Sequence, residues 1–211
     1  MSAILLAAGE STRMGQQKAL LLWKGRMLLQ HQVATLLEAG VSEVIVVVGY
    51  RAERLRPLVE AFPEAKAVLN LRYRSGKSSS VRAGLRRLDP RAEAILVLAV
   101  DQPRSLEVVR AVVRAHQQGG APITYPSYGG KGGHPILFSA RLLPEMLRVR
   151  ESRQGLREVV ERHRPEVHRI ELDDPDVLLD LNRPEEYQEA TIPLYQGSPK
   201  GASLSAGSVM P

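Results

Sequence analysis

Three runs in this chain are wholly apolar, and each ends in a polar or glycine-containing segment: Ala3–Ala7, Val44–Val48 and Ala94–Val100. A strand with no polar alternation is buried on both faces, and such burial belongs to parallel sheets covered by helices. The stretches between the runs carry a helical period instead. Leu29, Val33, Leu36 and Leu37 share one face, and Gly40 is placed to end that helix. Ala52, Leu55, Val59 and Phe62 mark a shorter helix, and Ala65–Asn70 a weaker third strand. Ser78–Leu88 reads as a helix with Val81, Leu85 and Leu88 inward and serines to cap it; Ser105 caps a helix carrying Leu106, Val109, Val113 and His116. This β-α-β-α order over Ala3–Gln118 predicts an α/β, Rossmann-like fold, a mostly parallel central sheet with helices on both faces.

The second half is less regular. Short strands are expected at Pro122–Tyr125 and Pro135–Phe138 around the glycine-rich Gly129–Gly133, and further strands at Val167–Leu172 and Val177–Leu181. Helices are expected near Arg141–Leu147, at Ser152–His163 and from Pro184 to Glu189. No repeat or composition break divides the chain, so residues 1–190 read as a single domain. Residues 191–211 carry one charge, Lys200, among Gly, Ser and Pro, and read as a disordered tail.

Composition excludes several classes. No apolar run approaches the roughly 18 residues of a bilayer span. The first residues lack a basic leader region, and cysteine is absent, which removes disulfides and thiolate metal sites. A cytoplasmic protein with no membrane association is expected. The net charge of +6 suits a polyanionic ligand. The nine aromatic residues form no stacking cluster, which argues against nucleic acid as the partner.

In an open parallel sheet a ligand sits beyond the carboxyl ends of the strands. Three polar segments fall there: Ala8–Lys18, Asn70–Ser80 and Asp101-Gln102-Pro103. The first has glycines at Gly9 and Gly15 and cations at Arg13 and Lys18, which are the requirements of a polyphosphate cradle or simply a glycine-rich turn. It matches neither the Walker spacing nor the dinucleotide fingerprint. Asp101, at the tip of an apolar strand, suits a metal more readily than a helix cap. Mg²⁺ takes only one or two protein oxygens, the rest coming from phosphate and water. Asp180 or Asn182 is placed either to supply a second oxygen or to cap the last helix. His134 lies in a glycine-rich loop, as a ligand-facing or a structural residue. No serine-hydrolase elbow or zinc spacing occurs.

Taken together, these segments resemble one family. Leu6-Ala7-Ala8-Gly9-Glu10-Ser11-Thr12-Arg13-Met14-Gly15-Gln16-Gln17-Lys18-Ala19-Leu20 is similar to the first-loop signature of nucleotidyltransferases with the GT-A-like, Rossmann-type fold. Gly76-Lys77-Ser78-Ser79-Ser80, Val100-Asp101-Gln102-Pro103, Gly133-His134-Pro135 and Asp180-Leu181-Asn182-Arg183-Pro184 narrow the resemblance to the molybdenum cofactor cytidylyltransferases, over about residues 2–190. The resemblance implies transfer of a nucleotidyl group from a nucleoside triphosphate, CTP or GTP, to a phosphorylated acceptor of the molybdopterin type, with Mg²⁺ as cofactor and a molybdoenzyme as recipient of the product. It implies catalytic roles for Arg13, Lys18 and Asp101. Leu6, Ala7, Ala8, Gly9, Ser11, Asn70, Gly76, Ser79 and Ser80 would line the nucleotide, with Gln102, Gly133 and His134 facing the acceptor. Asp101 would hold the metal with Asn182 or Asp180. Three positions depart from the pattern: Asn182 stands where many cytidylyl members have aspartate, Lys77 replaces an apolar residue, and Val100 replaces glycine. The rival reading is a carrier that binds the same ligands without turnover.

Overall fold

The computed structural model describes residues 1–191; the expected tail lies outside the described residues, apart from Thr191, which ends a helix. The chain runs β1 (Ser2–Ala7), β2 (Leu22–Trp23), β3 (Arg26–Met27), α1 (Leu28–Glu38), β4 (Glu43–Val48), α2 (Ala52–Glu60) and β5 (Ala65–Leu69). It continues through α3 (Lys77–Leu85), β6 (Ala94–Ala99), α4 (Leu106–Gly119), β7 (Ile123–Tyr128), β8 (Lys131–Gly132) and β9 (Ile136–Ser139). α5 (Leu143–Met146), α6 (Leu156–Arg162), β10 (Val167–Glu171) and α7 (Pro184–Thr191) complete it.

The central sheet has the order β10-β7-β9-β6-β1-β4-β5, with β8 paired to β7. β1 pairs in parallel with both β4 and β6, and β4 in parallel with β5. β9 runs antiparallel between β6 and β7, and β8 runs antiparallel to β7. The fully apolar strands follow from a core on each face. Ala3, Leu5, Ala7, Val44, Val46, Val48, Leu96 and Leu98 pack under α1, α2 and α4. Their neighbours Ile4, Leu6, Ile45, Val47, Ile95 and Val97 pack under α3, α5 and α6. The pleat sends successive side chains to opposite layers, so neither register of these strands leaves a place for a polar residue.

From β1 the chain builds outward through β4 to β5, then crosses to β6 on the other side. β1 and β6 therefore flank the point where strand order reverses, and the loops leaving their carboxyl ends face one crevice.

Local signals agree with the elements. Gly40, at φ +95°, closes α1 by donating to the Leu37 carbonyl while Val41 N–H reaches Leu36 O, a Schellman arrangement. Ser105 Oγ accepts Val108 N–H at 3.2 Å and caps α4 as expected. Other expectations are corrected. Val177–Leu181 is not a strand; Asp174 accepts Asp176 N–H and starts a tight turn over Pro175–Leu178. The serines do not cap α3, which begins after Gly76 with no side-chain cap of its own. The helix expected at Ser152–His163 starts only at Leu156, behind a separate turn, Glu151–Arg153. The β2–β3 hairpin was not foreseen: two-residue strands carry no periodicity, and its turn is Lys24-Gly25, both with positive φ.

Leu5→Ala, at a fully buried position, is expected to lower unfolding free energy by about 2–5 kcal/mol. Leu71→Ala, 83% exposed, is expected to change it by less than about 0.5 kcal/mol. Urea unfolding followed by circular dichroism measures both.

Candidate active site

The loop after β1 is pinned before its cations are placed. Ser11 adopts a left-handed conformation at φ 56°, and Gly15, at φ 68°, closes the turn Thr12–Met14. Met14 is buried beneath it. Ser11 Oγ accepts Lys18 N–H at 3.2 Å, and Gln17 Nε2 donates to Tyr50 O at 2.9 Å. Glu10 accepts from Arg74 Nε at 2.7 Å and Tyr73 O–H at 3.1 Å, tying the loop to the segment after β5; the Arg74 hydrogen bond chiefly holds its carboxyl below the usual range. Leu6, Ala7 and Ala8 are buried, while Gly9 is exposed with open space where a side chain would be. Arg13 is exposed and makes no ion pair with the described residues.

Lys18 is the junction. Its Nζ donates to Asp101 Oδ2 at 2.8 Å and to Asn182 Oδ1 at 3.0 Å. One ammonium thus joins the loop after β1, the end of β6 and the segment before α7. Leu181 N–H donates to Asp101 O at 2.8 Å and fixes the last of these in register. Asn182 does not cap α7 with its side chain; Glu186 reaches back to accept Asn182 N–H at 2.6 Å and Arg183 N–H at 3.0 Å. That frees the Asn182 amide oxygen for Lys18. Asp180 Oδ1 lies 4.0 Å from Arg104, and among the described residues no hydrogen bond joins its side chain to Lys18.

The segment after β5 is closed by its own hydrogen bonds. Asn70 Nδ2 donates to Ser79 Oγ at 2.9 Å and Ser80 Oγ at 3.0 Å, and its Oδ1 accepts Arg72 N–H. Ser79 Oγ is shared between Arg72 O and Gly76 O. These residues therefore shape the wall and offer few free donors. The start of α3 is capped from outside by Glu151, whose Oε2 accepts Ser78 N–H at 2.8 Å. That hydrogen bond chiefly holds the Glu151 carboxyl below its ordinary value.

Gln102 and His134 stand side by side. Gln102 Oε1 accepts Ala99 N–H at 3.2 Å, which orients the amide so that Nε2 faces His134 Nδ1 at 3.0 Å. Nδ1 is then the acceptor, and the ring proton lies on Nε2. Burial, reinforced by Lys77 and Arg104, pushes the His134 pKa down to about 3. Both residues line a cavity of about 490 Å³ whose apolar wall includes Val81, Val97, Ile136 and Val160. Gly133 leaves no room for a side chain: a Cβ there would lie 2.2 Å from Val177 O.

Arg104 was missed in the sequence. It is 2% exposed, donating from Nε to His134 O at 2.9 Å and from one terminal nitrogen to Pro103 O at 2.8 Å and Leu179 O at 2.7 Å. Burial lowers its pKa to about 10, against the opposing pull of Asp180, Asp176, Asp101 and Asp174. Nothing in the sequence separates it from the other arginines. Glu10, Gln17 and Glu151 were also missed, because their partners are far away along the chain.

The donor set fits a hard divalent cation. Asp101 and Asn182 converge on a single positive charge, and an oxygen pair of this kind is what Mg²⁺ takes from a protein. Among the described residues no group of three or more His, Cys, Asp or Glu forms an all-protein cage. No helix among them is long and apolar enough to cross a membrane.

A Rossmann-like sheet with a cation-bearing first loop facing a carboxylate at the switch point defines a nucleotidyltransferase. Residues 3–167 match the MobA-like NTP transferase domain, and the chain belongs to that family. It is 26% identical to the molybdenum cofactor cytidylyltransferase of Escherichia coli (strain K12), covering 89% of this chain and 93% of that protein. It is 34% identical to the nicotine blue oxidoreductase of Paenarthrobacter nicotinovorans, covering 68% of this chain and 73% of that one. It superposes on the manganese complex of Rv0371c from Mycobacterium tuberculosis H37Rv with a TM-score of 0.73, at 25% identity, covering 89% and 96% of the two chains.

Arg104→Met strips the buried donors from three carbonyls and is expected to cost about 2–4 kcal/mol of stability, read by urea unfolding. His134 makes stability pH-dependent. Its folded pKa lies below the unfolded value of 6.5, so the unfolded chain binds the extra proton between about 3 and 6.5. Stability from this group is complete above 6.5 and lost as pH falls toward 3. His31 and His116, lowered chiefly by burial, act in the same direction. His134→Asn is expected to flatten the fall in melting temperature between pH 6.5 and 4.

Proposed function

We propose that this chain transfers a nucleotidyl group from CTP to a phosphorylated acceptor of the molybdopterin type, releasing pyrophosphate. The observation that carries the reading is the Lys18 ammonium held between Asp101 and Asn182 at the end of β6, beside the glycine-containing loop after β1. Arg13 and Lys18 stand on that loop, where cations offset a triphosphate. Asp101 and Asn182 would hold Mg²⁺, which supplies charge neutralisation at the α-phosphate and the departing pyrophosphate. The Rv0371c structure, in complex with manganese, supports a divalent cation in a fold of this shape.

The acceptor needs no general base. A phosphate monoester has its second pKa near about 6 and is largely a dianion at neutral pH. One of its oxygens attacks the α-phosphorus, the α–β bridging bond breaks, and its electron pair leaves on pyrophosphate. His134, held at about 3, is too weak a base to take part. It would instead offer its Nε2–H to the acceptor in the cavity that it lines with Gln102 and Gly133. CTP is favoured by the resemblance of Ala7-Ala8-Gly9 to the first loop of cytidylyl members. Selection of this kind is worth only about 1–3 kcal/mol, so GTP is the rival nucleotide.

Pyrophosphate release with CTP, GTP, UTP and ATP, Mg²⁺ and isolated molybdopterin cofactor tests the reading. CTP is expected to give the highest turnover. Asp101→Ala is expected to lower turnover by about 10²–10³-fold with melting temperature little changed. Absence of metal-dependent release with all four nucleotides would overturn the proposal.

A further inference from the structure

The geometry points to Lys18 as an internal placeholder cation that keeps the divalent-metal position closed until a triphosphate draws it away. The inference rests on the nucleotidyl-transfer reading for its second half only. Asp101 Oδ2 and Asn182 Oδ1 each have one side-chain partner among the described residues, and it is the same Nζ, at 2.8 and 3.0 Å. A divalent ion bound by both oxygens would sit about 2.1 Å from each, in the space this ammonium fills. Ammonium and metal compete for the same lone pairs, and like charge keeps them from sharing the site.

The root of the lysine cannot leave. Its N–H is held by Ser11 Oγ at 3.2 Å, Gln17 before it is tied to Tyr50 O, and Ala19 after it is buried. The stem is itself about nine-tenths covered, so Nζ moves only when a ligand opens its surroundings, and its base stands on the glycine-containing loop proposed to receive the phosphates. Nucleotide binding then becomes an exchange of partners: Nζ passes to phosphate oxygens, and the two vacated oxygens take the metal. Without nucleotide, the same ammonium keeps Asp101 paired. Free metal is therefore bound weakly, and metal and nucleotide raise each other's affinity.

Electron paramagnetic resonance titration of the full chain with Mn²⁺ alone reads this directly. Lys18→Met and Lys18→Gln, checked for folding by circular dichroism, are expected to bind Mn²⁺ at least about tenfold tighter than the wild type. Adding Asp101→Asn to Lys18→Met is expected to remove the gain. Arg13→Met deletes a charge on the same loop that touches neither oxygen, and is expected to change the affinity less than about threefold. Equal or weaker Mn²⁺ binding by both folded Lys18 variants would overturn the placeholder, as would an equal gain from Arg13→Met. In the wild type, non-hydrolysable CTP or GTP analogues are expected to tighten Mn²⁺ binding. If the Lys18 variants gain and no analogue has that effect, the placeholder stands and its release by nucleotide is overturned, while the pyrophosphate assay decides the nucleotidyl-transfer reading separately.

Discussion

The buried guanidinium of Arg104 is the interaction on which the site geometry depends. Its nitrogens bond backbone carbonyls of the segment after β6, the glycine-rich segment before β9 and the stretch before α7. These pieces lie up to 75 residues apart in the chain. Burying a charge this deeply costs several kcal/mol; Nε and one terminal nitrogen offset part of that by bonding carbonyls of the three segments, while the other terminal nitrogen has no hydrogen-bond partner among the described residues. Asp101, His134 and Asn182 all stand within three residues of a carbonyl so anchored. The Asp101–Asn182 pairing and the Gln102–His134 pairing are thus consequences of one buried cation behind the site.

In front of it, Lys18 makes the complementary arrangement. Arg104 bonds backbone, which fixes where loops run; Lys18 bonds side-chain oxygens, which leaves its contacts exchangeable. A guanidinium bonds through a rigid planar fork, whereas an ammonium on a four-carbon stem bonds as a point charge. The two cations separate scaffold from chemistry within a few residues of the same strand end.

The first half of the fold was legible because burial on both faces leaves a plain mark in sequence. Val44–Val48 admits no polar residue, and β1 and β6 share that constraint, so their pairing and the polar loops beyond them followed from the pattern. Asp101 and Asn182 stand out because each follows the end of an apolar segment, and Lys18 because it is one of two cations on the glycine-containing loop after β1. That Asn182 rather than Asp180 meets Lys18 was not legible, because it turns on Glu186 accepting the Asn182 and Arg183 amides. The serines of α3 misled, since a serine at a helix start caps only if no other group does so. Here Glu151, more than 70 residues away, takes the amide of Ser78. Arg104 was hidden by composition: in a chain with 23 arginines, one that is buried looks like the rest.

The two halves of the crevice also differ in how they are built. The side that carries Lys18 and Asp101 rests on β1, β4 and β6, parallel strands buried in both layers, and its polar groups sit on turns. The side lined by Gln102 and His134 joins the end of β6 to β9, which runs against both its neighbours, and to α6, which begins only after a separate turn. Antiparallel insertion brings Gly133 against Val177 O so closely that its backbone is fixed, while the cavity wall beyond is made of side chains from α3, β9 and α6. Changing those side chains alters what the cavity accepts without disturbing the strands that carry Lys18 and Asp101. The end of β6 joins the two regions, since Val97 lines the cavity and Gln102 follows Asp101 directly, so a change there reaches both, whereas a change at Val81, Ile136 or Val160 reaches the cavity alone.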